Sequence, residues 1–246
     1  MEQQLLQMHK KSLSNLMQEK KIISIYDVDQ DFIVKYTYDA VSMEGKNKVP
    51  YEQVKTLLNT NVLVGFSERE KKEILNHAAC FKKIVKLVES NQDLTEEQIK
   101  DLHELLVKDI FIGGVYRNVN IQIIGAAHQP PDHIKVYDRM KKLFNKIKES
   151  NLNDFDKGIY IHAQISKIHP FLDGNGRLAR LILNYYLIKA GYIPITIPVA
   201  KRNEYFNNIE IFKIEKNIEP LTNFIVKLLN ERYERLIEQL EIWVLI

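Results

Sequence analysis

One stretch constrains this chain more than any other: "NDFDKGIYIHAQISKIHPFLDGNGRLARLILNYYLIKAG", residues 153–191. A helical pattern must stop and a second must start within a few residues. Pro170 disfavours helix in the residue before it, so the first helix spans about 154–168. The second runs from about Asn175 to 190, with Gly191 as its C-terminal cap. "PFLDGNG" is therefore a loop feeding a helix N-terminus. Such ends expose unpaired N–H groups and partial positive charge, so they bind anions.

The rest of the chain is helical in character. Only nine glycines and seven prolines punctuate 246 residues. Two capping boxes are legible, Ser67 with Glu70 and Thr95 with Gln98, and each marks a helix start. Further helical patterns cover about 132–149, 199–210 and 218–242. One segment departs from this rhythm. In "GGVYRNVNIQIIG", Val115, Arg117, Val119, Ile121 and Ile123 alternate with Tyr116, Asn118, Asn120 and Gln122. Period two with β-branched residues predicts a strand or short hairpin, ended by Pro130 and Pro131. A lone hairpin has free edges, and a free edge can pair with a peptide.

Bulk properties exclude several classes. With 45% hydrophobic and 27% charged residues the chain reads as a globular protein of one large or two small domains. A net charge of +3, from 35 basic and 32 acidic residues, is too balanced to argue for nucleic acid. No apolar run reaches the ~20 residues of a membrane helix, and no signal peptide is visible. A single cysteine, Cys80, allows no disulfide within the chain and is expected to be a buried apolar residue. The expected compartment is the reducing cytoplasm.

The loop holds the residues that phosphate chemistry needs. Gly174 and Gly176 admit unusual backbone geometry and close ligand approach. Asn175 offers amide donors. Arg177 and Arg180 lie three apart on the first turn, where cations oppose the helix dipole unless an anion lies between them. Guanidinium groups suit phosphate because they donate two parallel hydrogen bonds. Asp173 would repel phosphates unless a Mg²⁺ bridges them. His169 at the loop mouth can take a proton near neutral pH. Base, metal ligand and phosphate cradle together describe attack on a nucleotide phosphate. His162, seven residues before His169, suggests a His-His-Asp metal site. The break at Pro170 disrupts that spacing, so His162 is expected to be a core residue with a backbone partner. His77, His103, His128 and His133 show no ligand spacing.

"HPFLDGNGRLAR" resembles the full signature of the Fic family, with every fixed position filled from His169 to Arg180. The resemblance extends over about residues 37–215. It implies a mostly α fold, a Fic-type helical bundle with a small β-hairpin flap at "GGVYRNVNIQIIGAAHQPP", including Ile123, Ile124 and Gly125. It implies an N-terminal helical region over 1–60, a core over 61–215 and a C-terminal helix over 216–246. It also implies transfer of AMP from ATP, with Mg²⁺, to a hydroxyl of a target protein bound along the flap edge. On this resemblance His169 is the base, Asp173 holds Mg²⁺, and Gly174, Asn175, Gly176 and Arg177 hold the phosphates. Arg180 takes the γ-phosphate, and Tyr205 and Phe206 lie near the adenine. Lys213 falls where relatives often have an asparagine. Glu44, followed by Gly45 as a helix cap, resembles the end of the family's inhibitory helix and would pair with Arg180. Ala40 stands at the usual Ser or Thr position of that motif. Self-modification and a homodimer are compatible with the resemblance. Three alternatives accompany it: a non-catalytic nucleotide-binding module, transfer of another phosphate-linked group, and removal of AMP. No recognition helix or basic stripe supports a DNA-binding regulator.

Overall fold

The computed structural model describes residues 1–90 and 94–242. Among them, the α-helices are α1 (Glu2–Glu19), α2 (Ile25–Val28), α3 (Phe32–Ser42), α4 (Tyr51–Thr60), α5 (Glu68–Glu89), α6 (Glu96–Leu106), α7 (Val136–Glu149), α8 (Asp154–Ile168), α9 (Asn175–Lys189), α10 (Arg202–Glu215) and α11 (Glu219–Ile242). No helix of the described residues is long and apolar enough to cross a membrane.

Local chemistry sets the starts. Ser67 and Glu70 satisfy each other's backbone N–H groups at the head of α5, as Thr95 and Gln98 do at α6. Asn153 caps α8 by accepting from the Asp156 N–H at 2.9 Å. Helix ends were less legible. α10 continues to Glu215, beyond the 210 expected, because Lys216 adopts the left-handed cap at φ 61° and donates its N–H to Phe212. The pattern at 132–149 starts instead as a tight turn, His133–Lys135, before α7.

Helices α8 and α9 form the antiparallel centre. From Leu178 to Leu187 every residue of α9 is buried. A helix apolar on all sides needs neighbours on all sides. One core lies between these helices and α5, α6 and α7, built on Phe81, Ile99, Leu102, Met140, Phe171 and Leu181. A second joins α9 to α1, α10 and α11 through Leu6, Leu187, Phe212, Phe224 and Leu229. Cys80 is buried, and its thiol is pushed up to about 12 by desolvation.

The expected β-hairpin is absent: the described residues contain no strand. Residues 113–131 form an irregular arch whose backbone is satisfied by side chains rather than by a ladder. Buried Arg117 donates to the carbonyls of His169, Val119 and Pro131, while its own N–H donates to Pro170. The Gln129 amide donates to the carbonyls of Ile123 and Ala126 and accepts from the Ile123 N–H. The alternation holds only in part: Arg117 is buried and Ile121 and Ile123 half-buried, but Val115 and Val119, on the same expected face, are exposed. A ladder needs a partner strand, and none is present among the described residues.

The α8–α9 contact is close. A Cβ on Gly158 would lie 2.6 Å from Cβ of Tyr186. Gly158→Ala is expected to lower stability by ~1–3 kcal/mol through overpacking, read as a reduced midpoint in urea with unchanged m-value. An unchanged midpoint would show that the two helices separate at no cost.

Candidate active site

Helix α8 ends abruptly. His169 takes the left-handed conformation at φ 51° and donates its N–H to Ile165 at 2.8 Å. That conformation is uncommon for a residue with a side chain, and such residues cluster at functional sites. The loop then turns into α9 through Gly174 at φ 77°. Asn175 closes the turn: its Oδ1 accepts from the Phe171 N–H at 2.9 Å and its Nδ2 donates to the Phe171 carbonyl at 2.8 Å. Its amide, expected to face phosphate, is spent on the loop itself. Asn175 shapes the cradle rather than lining it.

Arg177 and Arg180 are buried at the first turns of α9, at 5% and 3% exposure. Nη1 of Arg177 and both Nε and Nη1 of Arg180 make no hydrogen bond. Buried Glu73, from α5, steadies Arg177 at 3.7 Å. Arg180 Nη2 donates to the Ala40 carbonyl of α3 at 2.9 Å. Buried cationic donors without acceptors are costly, and an arriving anion relieves that cost.

Glu44 follows α3 and reaches the same place. A Cβ on Gly176 would lie 3.0 Å from Glu44 Oε1 and 3.1 Å from Arg180 Nη1. Glycine at 176 leaves the room in which carboxylate and guanidinium face one another. They face without hydrogen-bonding, and Lys46 Nζ lies 3.9 Å from Glu44. Gly45 takes φ 71° and donates its N–H to Ser42, the turn that points Glu44 inward.

Asp173 sits at the loop mouth. Burial would raise its carboxyl, but Arg177, the Gly174 N–H, Lys46 and Arg69 together hold it below the ordinary range. Arg69, unnoticed in the sequence, donates to Asp173 Oδ2 at 2.8 Å and to Glu73 at 3.2 Å. The His169 imidazole is pushed down to about 4, chiefly by burial, with Lys213 adding and Glu44 opposing. It is therefore neutral near pH 7 and able to accept a proton.

Other expected site residues fall differently. Tyr205 is a core residue, 1% exposed, with its hydroxyl 2.7 Å from His162 Nε2. Its ring offers no face to a ligand, whereas neighbouring Phe206 is half-buried under Arg202. His162 is indeed in the core, but its partner is that hydroxyl rather than backbone. Lys213 is buried and pairs with Glu210 at 2.8 Å, and Glu210 also accepts the His128 N–H. Ile124 is fully exposed beside Gly125 at φ 79°, in a turn that Gln129 closes. His103, set aside for want of ligand spacing, touches the loop directly: Nε2 lies 3.0 Å from the Asp173 carbonyl. No sequence spacing could have revealed it, because it lies 70 residues from Asp173.

Comparison with known proteins gives the family and the fold. The sequence model of the Fic/DOC family matches residues 93–187. The protein adenylyltransferase Fic of Drosophila persimilis is 32% identical over 197 residues, which is 78% of this chain and 38% of that protein. A Fic domain containing signaling protein from Bacteroides thetaiotaomicron superposes with a TM-score of 0.83 at 22% identity, covering 95% of this chain and 97% of that one. Fic-1 of C. elegans gives 0.78 at 20% identity, covering 97% and 74%. The likeness runs through the helical body that carries His169, Asp173 and Arg180. The chain belongs to the Fic family. It spans about two fifths of the length of the curated relatives it matches.

The site also dictates an acid response. Burial holds His162 at about 3 and His103 and His169 at about 4, and His77 well below its ordinary value. In the unfolded chain these imidazoles protonate near ~6.5, so below that pH the unfolded state binds more protons. Their contribution is complete above ~7 and is lost as pH falls from ~6.5 towards 4, at up to ~1.4 kcal/mol per unit for each histidine. The urea midpoint is expected to fall steadily between pH 7 and 4.5. A flat midpoint there would mean that these rings titrate freely in the folded protein.

Proposed function

We propose that this chain is a protein adenylyltransferase, transferring AMP from ATP to a hydroxyl side chain of a target protein, with Glu44 as its brake. One observation carries the reading: unpaired guanidinium donors of Arg177 and Arg180 converge at a helix N-terminus beside a neutral, buried histidine. Triphosphate oxygens supply the missing acceptors. The name of the Drosophila relatives supports AMP as the group moved.

In the step, the target oxygen bonds to the α-phosphorus and the bond from that phosphorus to the pyrophosphate oxygen breaks. His169 takes the hydroxyl proton, and pyrophosphate leaves. Arg180 holds the terminal phosphate and Arg177 the oxygens nearer the bond that breaks, so catalysis rests on positioning and charge stabilisation. Arg117 fixes His169 through its carbonyl and ties it to the arch over 113–131, beside which the target enters. The donor chemistry at Asp173 fits Mg²⁺, since a lone carboxylate with phosphate oxygens suffices for that ion. Asp173 would hold it once Arg69 lets go, and the bound ion would neutralise phosphate charge.

Glu44 occupies the space beside Arg180 that the terminal phosphate needs. With an alanine at 40, α3 is anchored to Arg180 through the residue's carbonyl instead of a side-chain hydroxyl. The activity is tested with ATP labelled on either the α- or the γ-phosphate, offered with Mg²⁺ and cell lysate. Glu44→Gly is expected to raise protein-bound α-label by about tenfold or more, the gain for removing ~1.4 kcal/mol of competition. Adding His169→Ala is expected to reduce it roughly 10²–10⁴-fold. Label from γ-tagged ATP would assign phosphate transfer instead, and equal transfer by wild type and Glu44→Gly would remove the brake.

A further inference from the structure

His103 belongs to α6, outside the signature, yet it is almost wholly buried against the loop. Its ring lies parallel to Phe171, centroids 3.7 Å apart and planes 9° apart. Each ring nitrogen has one partner. The Gly114 N–H donates to Nδ1 at 3.0 Å, and Nε2 lies 3.0 Å from the Asp173 carbonyl. A carbonyl accepts only, and an N–H donates only. These partners admit one tautomer: Nδ1 bare, Nε2 carrying the proton. The two partners belong to different parts of the site. Asp173 opens the phosphate cradle, and Gly114 opens the arch that Arg117 fastens to His169 and Pro170.

The arch lies close on the helix that carries this ring. Cβ at Gly113 would lie 2.5 Å from the α6 backbone at Glu104, so only glycine lets the arch lie there. The Phe171 backbone is held by the Asn175 amide, and its ring meets Tyr116 at a tilt of 53° and a centroid distance of 5.3 Å. Imidazole is the one side chain that stacks on Phe171 while donating to one chain and accepting from another.

We propose that His103 is a positioning residue for the nucleotide site, joining the phosphate loop at Asp173 to the overlying arch at Gly114 through its two ring nitrogens. It touches neither phosphate nor target. It sets the direction of the Asp173–Gly174 peptide and hence of the N–H groups at the head of α9. The effect on nucleotide rests on the adenylyltransferase reading; the tautomer and the two bonds do not.

Three substitutions separate the contacts. His103→Gln places an amide donor near the position of Nε2 and keeps the Asp173 bond. His103→Asn places its amide near Nδ1 and keeps only the Gly114 bond. His103→Phe keeps the stack and neither bond. In the full chain carrying Glu44→Gly, Mg·ATP binding is read by calorimetry, alongside the thermal midpoint and the amide resonances of residues 171–176. His103→Gln is expected to bind within about threefold of its parent, and His103→Asn and His103→Phe about tenfold more weakly, the cost of one buried hydrogen bond. In the unsubstituted chain, ring ¹⁵N shifts at pH 7 are expected to show a bare Nδ1 and a protonated Nε2. Equal ATP binding by all three variants, losses that follow the thermal midpoint alone, or the opposite tautomer would overturn the proposal. If the parent binds no ATP, the adenylyltransferase reading fails, while the ring shifts and loop resonances still decide the role of His103.

Discussion

Two buried guanidinium groups with donors to spare govern this molecule. Arg177 and Arg180 stand at the positive end of α9, where burial and the helix dipole both disfavour them. A fold keeps such an arrangement only if other elements hold it in place. α5 supplies Glu73 against Arg177. α3 supplies the Ala40 carbonyl to Arg180 and, beyond its end, the Glu44 carboxylate. The central α8–α9 pair is packed on every side, so the loop between them cannot relax away from the charges. The resting protein thus offers part of an anion's electrostatic role through its own carboxylates, and leaves the hydrogen bonds unmade.

What could be read from residues alone divides along sequence distance. Loop, helix starts and the two capping boxes are local, and each depends on residues within a few positions. So does the left-handed cap at Gly45, which aims Glu44 at a site more than a hundred residues away. The period-two segment reads as a ladder because alternation of β-branched residues carries no information on whether a partner strand exists. There Arg117 and Gln129 supply the hydrogen bonds that a partner strand would have made. Asn175 was assigned to phosphate because its type suits phosphate. Its position four residues after Phe171 instead lets it close its own loop. Tyr205 is placed near the adenine by the resemblance alone, yet its hydroxyl lies against the His162 ring in the core. Residue type gives a capacity; the packing decides which neighbour uses it.

Residues to which the sequence assigns no role share one property: they act across the fold. Arg69, Glu73 and His103 lie on α5 and α6, far from the signature, and carry no pattern of their own. Arg69 and His103 touch Asp173, and Glu73 touches Arg177. A motif lists the groups that face a ligand. The groups that fix those groups in place are chosen by geometry, and many sequences satisfy the same geometry.

The short segment after Glu44 joins the surroundings of Arg180 to those of Asp173. Lys46 lies 3.9 Å from Glu44 and 3.8 Å from Asp173, so one ammonium is shared between two carboxylates. Asn47 donates to Glu73 and to the Glu70 carbonyl, and the Lys48 N–H donates to Glu70. Glu73 in turn takes Arg69, which takes Asp173. Asn47 and Lys48 are thus tied to the first turns of α5, and through Glu73 to Arg69 and Arg177, the two arginines that flank Asp173. The carboxylates of Glu44 and Asp173 therefore share Lys46 as a counter-charge and α5 as an anchor, so the geometry of one constrains the geometry of the other.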